Sequence, residues 1–298
     1  MPNTQTILLD QIWQQMSIAG ASTASIVLLA DVAGSGKTAL AHSVAQHCAW
    51  DGIFPASFFF DREIADRSNP YKLISSFAHH LASFHPGLAR EIDQAIIRQP
   101  DLPMASLAHQ FEYLVLNPLL ICIPLTSVVW VIDALDEGYN SDILDILAEE
   151  ISKLLGIVCI FVVTRLESQI MTSLQHKSHV SILDMDIHGG PNLKDMELYA
   201  EHQLQNIVNK RLQSLPESWP DEKLLKQFIQ KAEGLPLWIA TVSDYLCLPT
   251  TTNPNKKLRM ILADQSFAGN SLVEKMDALY AKILHFCNWK DEDFTKGY

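Results

Sequence analysis

Four short runs in the first half of the chain are apolar at nearly every position: Ser25–Ala30 (SIVLLA), Ala56–Phe60 (ASFFF), Val128–Asp133 (VVWVID) and Ile157–Val163 (IVCIFVV). Continuous hydrophobicity, rather than strict alternation, marks strands buried on both faces, as in a parallel sheet covered by helices. Helical spacing separates these runs. Before the fourth, Leu144, Leu147, Ile151 and Leu154 fall on one face of a helix that Ser141 can cap, and Gly156 stands where a left-handed residue would end it. Strands joined in this way predict a doubly wound α/β domain. Beyond about residue 185 the strand pattern stops. Leu193, Met196, Ala200, Leu204 and Ile207 form a helical stripe, a second helix stops at Gly234-Leu235-Pro236, and Leu272, Met276, Leu279 and Ile283 form another stripe. The pattern predicts a lead-in helix within 1–24, a sheet domain over 25–185, a small all-helical subdomain over 186–288 and an acidic tail over 289–298, where Asp291, Glu292 and Asp293 lie between Trp289 and Phe294.

Composition fits this division. The 298 residues suffice for about two units, and 48% hydrophobic against 19% charged residues gives ample core. Asp plus Glu number 34 against 22 Lys plus Arg, a net charge of −12. That balance argues against a nucleic-acid footprint or a membrane-surface patch. The longest uncharged stretch, Leu114–Ile132, is interrupted by Asn117, Pro118 and Pro124, so no membrane span is expected. Five well-separated cysteines, among them Cys287, form no metal-ligand cluster, and no basic residue precedes Lys37 to make a leader. The expected setting is reducing and cytoplasmic.

The first apolar run leads into Asp31-Val32-Ala33-Gly34-Ser35-Gly36-Lys37-Thr38 and then a helical segment beginning at Ala39. This is the strand–loop–helix setting of a phosphate-binding loop. Gly34 and Gly36 let successive amides of Ala33 through Ala39 turn toward an anion, and the helix N-terminus adds partial positive charge. Lys37 would reach the β- and γ-phosphates, and Thr38 would offer its hydroxyl to Mg²⁺. Asp31 replaces the first glycine of the usual G-x-x-x-x-G-K-[ST] pattern, which places a carboxylate beside the expected phosphates.

The third apolar run ends in Asp133, placed to hold Mg²⁺, followed by Ala134-Leu135-Asp136-Glu137. Either Asp136 or Glu137 can orient or deprotonate an attacking water. The fourth run ends in Thr164-Arg165 at the strand edge where ligands bind in such sheets. Arg165 can meet γ-phosphate charge or simply pair with Glu167 at the surface.

Taken in order, VAGSGKTALAHSVAQHC, ASFFFDR, VVWVIDALDE, FVVTRLES, KAEGLPLWIATV and LVEKMDALYAKIL resemble the NACHT group of STAND signal-transduction P-loop ATPases, particularly its fungal and nephrocystin-like branch. The lead-in PNTQTILLDQIWQQM is similar too, with Gln5 where that family usually has arginine. The resemblance implies a RecA-like P-loop NTPase core followed by a helical subdomain, binding ATP or ADP with Mg²⁺. It implies that Gly34, Gly36, Lys37 and Thr38 bind phosphate and metal, and that Asp133 is the Walker B acid. It also makes Asp136 the hydrolytic acid and Arg165 the sensor, and sets Pro236 against the adenine base. From the residues alone, Gly234 and Pro236 are a helix stop and restart. Against the family's usual length, the chain reads as a switch core without effector or sensor, either truncated or working through protein partners or self-association. Two other readings remain: a P-loop kinase or GTPase, and a degenerate scaffold in which Asp31 has weakened nucleotide binding.

Overall fold

The structure, a computed structural model, describes residues 4–16, 25–50, 53–124, 128–211, 215–216, 219–248, 251–264 and 271–286. Cys287 and the expected acidic tail with Trp289 and Phe294 lie outside the described residues. The described residues form two compact units. One comprises Thr6–Asp31 and Lys37–Met185; the other comprises residues from Asp186 onward together with Gln5 and the loop Val32–Gly36.

The first unit is built on five parallel strands, β1 (Ile26–Ala30), β2 (Phe54–Phe59), β3 (Val128–Asp133), β4 (Val158–Thr164) and β5 (Val180–Leu183), in the order β2-β3-β4-β1-β5. Every residue of β3 and β4 is buried, which is why their sequences show no alternation. Ile26, Leu28, Trp130, Ile132, Ile160 and Val162 share one core with the helices that follow β2 and β3. Phe77, from the helix α3 (Pro70–Phe84), stacks on Trp130 with ring centroids 4.1 Å apart. On the sheet, α1 (Thr6–Met16) packs against β1 and β4, and α2 (Lys37–Trp50) against β2, β3 and β4. Burial pushes the Cys159 thiol of β4 up to about 12, with Cys48 of α2 as its neighbour, so both act as small hydrophobes.

The predicted helix ahead of β4 runs from Ser141 to Leu154, first as an α turn, then a π turn (Ile146–Glu150) and a 3₁₀ turn (Ile151–Leu154). All four residues of its expected face are buried. Its cap is Asn140 rather than Ser141: the Asn140 side chain accepts from the Ile143 N–H at 3.0 Å. Gly156 adopts φ +79°, the left-handed conformation expected of it. β5 is absent from the sequence expectation. It is an edge strand, paired only with β1 and only partly buried, so its hydrophobic signal is weak.

The second unit is helical: α4 (Gly190–Arg211), α5 (Glu222–Ala232), α6 (Pro236–Cys247), α7 (Pro254–Leu262) and α8 (Leu272–Phe286). Met196, Ala200, Leu204 and Ile207 of α4 meet Phe228 and Trp238 in its core. Leu193, expected to begin that stripe, lies in the first turn and is 46% exposed. Ser271 and Glu274 cap α8 reciprocally, Ser271 N–H to Glu274 Oε2 at 2.8 Å and Glu274 N–H to Ser271 Oγ at 3.3 Å. Among the described residues no helix is long and apolar enough to cross a membrane.

Candidate functional site

In parallel α/β sheets ligands bind at the carboxyl ends of the strands, where the strand order reverses. Here the chain leaves β1 toward β2 on one side and later returns past β1 to β5 on the other. The register sets Ala30 of β1 beside Thr164 of β4, and Ile132 of β3 beside Val162. Asp31, Asp133 and Arg165 therefore follow on the same sheet edge.

The loop after β1 turns on Gly34 (φ +79°) and Gly36 (φ +97°), conformations that glycine alone adopts without strain. Gly34 also lacks room for a side chain: an added Cβ would lie 2.6 Å from Leu237 Cβ. Ser35 is buried and its hydroxyl donates to Val32 O at 3.0 Å, whereas Ala33, Thr38 and Ala39 are exposed. The helix α2 starts at Lys37, whose Nζ donates to Asp31 O at 2.8 Å. Lys37 is only 8% exposed, and that burial lowers its pKa. Asp31, Asp136 and Asp133 act in the opposite direction, while Arg165 adds to the lowering.

Asp133 is 3% exposed at the end of β3. Burial raises its pKa above the ordinary carboxylate value, countered in part by hydrogen bonds from the Thr38 side chain and the Ala134 N–H and by the charges of His42 and Lys37. Its Oδ1 is buried with no hydrogen-bond partner among the described residues. Ala134 then takes a left-handed conformation (φ +53°), and the chain doubles back to set Asp136 and Glu137 on the same edge. A small residue suits that turn, since a larger side chain would add to the left-handed strain.

Arg165 pairs with both acids rather than with Glu167. Its Nε lies 3.3 Å from Asp136 Oδ2 and its terminal nitrogen 3.0 Å from Glu137 Oε1. Asp136 Oδ1 also accepts from the Arg165 N–H at 2.9 Å and the Thr164 hydroxyl at 3.4 Å. Glu137 is held by Arg62 as well, from the Arg62 N–H at 3.2 Å and the guanidinium at 3.5 Å. The structure thus gathers Lys37, Thr38, Asp133, Asp136, Glu137 and Arg165 at one edge. Two participants escaped sequence reasoning. Arg62 follows β2 in ASFFFDR, and its place after a strand was the available signal. His42, one turn beyond Thr38 on α2, stacks on Phe59 at 4.3 Å.

Pro236 lies in the first turn of α6, in the helical unit to which Val32–Gly36 also belongs. There the Leu237 N–H donates to Gly34 O at 3.3 Å, and Pro236 Cγ would stand 3.9 Å from a Cβ added to Gly36. Gln5, also of this unit, donates its N–H to Asp195 Oδ2 at 2.7 Å.

A five-stranded parallel sheet with a glycine loop after β1 and an acid ending β3 defines a RecA-like P-loop module of the nucleotide-binding class. The chain belongs to the family described as Nephrocystin 3, N-terminal, whose profile matches residues 3–165. Among solved structures it is similar to PCH-2 of C. elegans (14% identity, 86% of this chain and 67% of that chain, TM-score 0.44). It is likewise similar to the Aeropyrum pernix ORC1 protein in complex with DNA (16%, 96% and 77%, TM-score 0.45) and to Drosophila ORC bound to DNA (11%, 95% and 68%, TM-score 0.46). No curated protein matches the chain.

Proposed function

We propose that this chain is the ATP/ADP-binding switch module of a NACHT-type, NLR-like STAND signalling protein, Mg²⁺-dependent and with slow or no ATP hydrolysis. The observation that carries the reading is Asp133: a buried carboxylate with Thr38 and Lys37 acting on it and one oxygen bare. A buried carboxylate oxygen without a donor is costly unless a cation meets it. The charges agree. Around the edge Lys37, Arg165 and Arg62 face four carboxylates, Asp31, Asp133, Asp136 and Glu137, so a divalent cation suits the set better than its absence. Mg²⁺, when bound, would neutralise phosphate charge; Thr38 and Asp133 would hold it, directly or through water.

The remaining roles follow from the chain's own groups. The amides of Ala33 to Ala39 face the phosphates, and Lys37 leaves Asp31 O for the terminal ones. Pro236 covers the base. Asp136 and Glu137 are each tied to Arg165, so Asp136 is not at liberty to take a proton from water until Arg165 turns away, and Glu137 is held by Arg62 besides. Arg165 released from them can meet the γ-phosphate, which links sensing to hydrolytic competence and explains slow turnover. In this reading residues 25–185 are the NTPase core and 186–288 a helical subdomain, acting in the cytoplasm on protein partners or further copies rather than on nucleic acid or membrane. The acidic charge supports partners other than nucleic acid or an anionic membrane surface.

Calorimetry of the full chain with Mg·ADP and Mg·ATP tests it. Binding that Lys37→Ala abolishes is the expected result; no heat with either nucleotide overturns it, and a preference for GTP would favour a P-loop GTPase instead.

A further inference from the structure

The helical unit contains a lysine where its core calls for a hydrophobe. Lys275 stands on α8 between the cap at Ser271 and the buried Met276 and Leu279, and it is 0% exposed. Its Nζ pairs with Glu233 Oε1 at 2.6 Å. Taking an ammonium out of water is expensive, and a hydrophobe of similar volume would serve stability at least as well.

The partner is equally unusual. Glu233 follows α5 in the left-handed conformation (φ +50°), and Gly234 repeats it (φ +80°). A non-glycine residue there is strained. Gly234 admits no side chain, since an added Cβ would meet Ile187 O at 2.2 Å. The Asn192 amide donates to Ile187 O and, at 3.4 Å, to Gly234 O, clamping the turn from α4. Leu235 and Pro236 follow at once, and the Leu237 N–H bonds to Gly34 O of the phosphate loop. An unbroken chain of contacts thus runs within one unit from α8, through Glu233 and the turn, to the loop.

We propose that Lys275 is a positioning residue for the nucleotide base: by holding Glu233 it fixes the 233–236 turn, so that Pro236 stands ready against the base. The inference rests on the nucleotide-binding reading above. It assigns a role in ligand affinity to a residue that touches no ligand, and it makes α8 the element whose displacement would loosen the base.

The test compares Mg·ADP with inorganic tripolyphosphate, which lacks a base, on the full chain carrying Lys275→Met. The substitution replaces the buried charge with a hydrophobe and leaves Glu233, which reaches the surface, hydrated, so the melting temperature should not fall. ADP affinity should weaken by about tenfold while tripolyphosphate affinity changes by less than about twofold. A purely structural role would move both ligands together. If Lys275→Met does not fold, Glu233→Gln carries the same expectation for the two ligands. Equal losses for both ligands, or no change in a chain whose wild type binds ADP, overturn the proposal and leave the nucleotide reading standing. A wild type that binds no ADP overturns the nucleotide reading, and this proposal with it.

Discussion

Asp133 stands in an environment that opposes its charge. Because burial dominates, its pKa is raised in the folded state, so the folded protein keeps a proton that the unfolded chain has already released. Stability contributed at this site is therefore greatest at low pH. It falls as pH rises from the ordinary carboxylate value of 3.8 through the raised pKa, and stays reduced above it. Lys37 has the complementary cost: its pKa is lowered mainly by burial, and the penalty is relieved only as pH rises through that lowered value toward 10.5. Asp133→Asn keeps the shape and removes the charge. In nucleotide-free, metal-free protein at neutral pH it should raise the melting temperature, by about 2–4 °C for each kcal/mol relieved. ADP affinity should at the same time lose its dependence on Mg²⁺. A lower melting temperature would instead mean that attraction to Lys37 outweighs desolvation at this edge.

Two glycines of the sheet unit separate backbone strain from steric clash. Gly156, between the 3₁₀ turn and β4, has φ +79° and nothing within 4 Å of an added Cβ. Gly138, after the acids, has φ −152°, which any residue adopts, yet its Cβ would lie 2.1 Å from Phe60 Cδ1. Gly156→Ala should cost about 1–2 kcal/mol through conformation alone, and Gly156→Asn less, because Asn tolerates the left-handed region. Gly138→Ala should cost about 1–3 kcal/mol by overpacking, and trimming Phe60 to Leu in the same chain should recover part of it. Urea unfolding of these four variants and of Gly156→Ala with Phe60→Leu checks both; rescue in that last chain would contradict the separation. The contrast also marks how far the sequence could be read. Gly156 was legible because it ends an amphipathic run, and β1, β3 and β4 were legible because burial on two faces leaves no alternation. β5 was not, since an edge strand needs fewer apolar positions, and Ser141 obscured the true cap one residue earlier. At the site, Lys37, Thr38 and Asp133 could be named from strand–loop–helix and strand-end patterns. The pairing of Arg62 and Arg165 on Glu137 could not, because it depends on strand order rather than on local pattern.

At the scale of the whole molecule, the charge of −12 makes a prediction about kinetics that no single residue makes. An approaching nucleotide is a polyanion, and at about 10 mM ionic strength, where the Debye length is about 30 Å, it meets the field of most of the protein. At about 150 mM the length shrinks to about 8 Å, and only charges near the binding edge still act. Those are not strongly attractive either, since Lys37, Arg165 and Arg62 stand among Asp31, Asp133, Asp136 and Glu137. Screening therefore removes a long-range repulsion without removing a comparable attraction. Association of a fluorescent ADP analogue with the full chain, followed by stopped flow at fixed Mg²⁺, should accelerate by roughly two- to fivefold over that range of salt. The dissociation rate should change less, because contacts at the loop amides and Lys37 are short-ranged and partly buried. Steered binding to a positive cleft gives the opposite sign, with association slowing as salt rises. A slowing here would show that the positive groups at the sheet edge govern the approach despite the acidic surface around them.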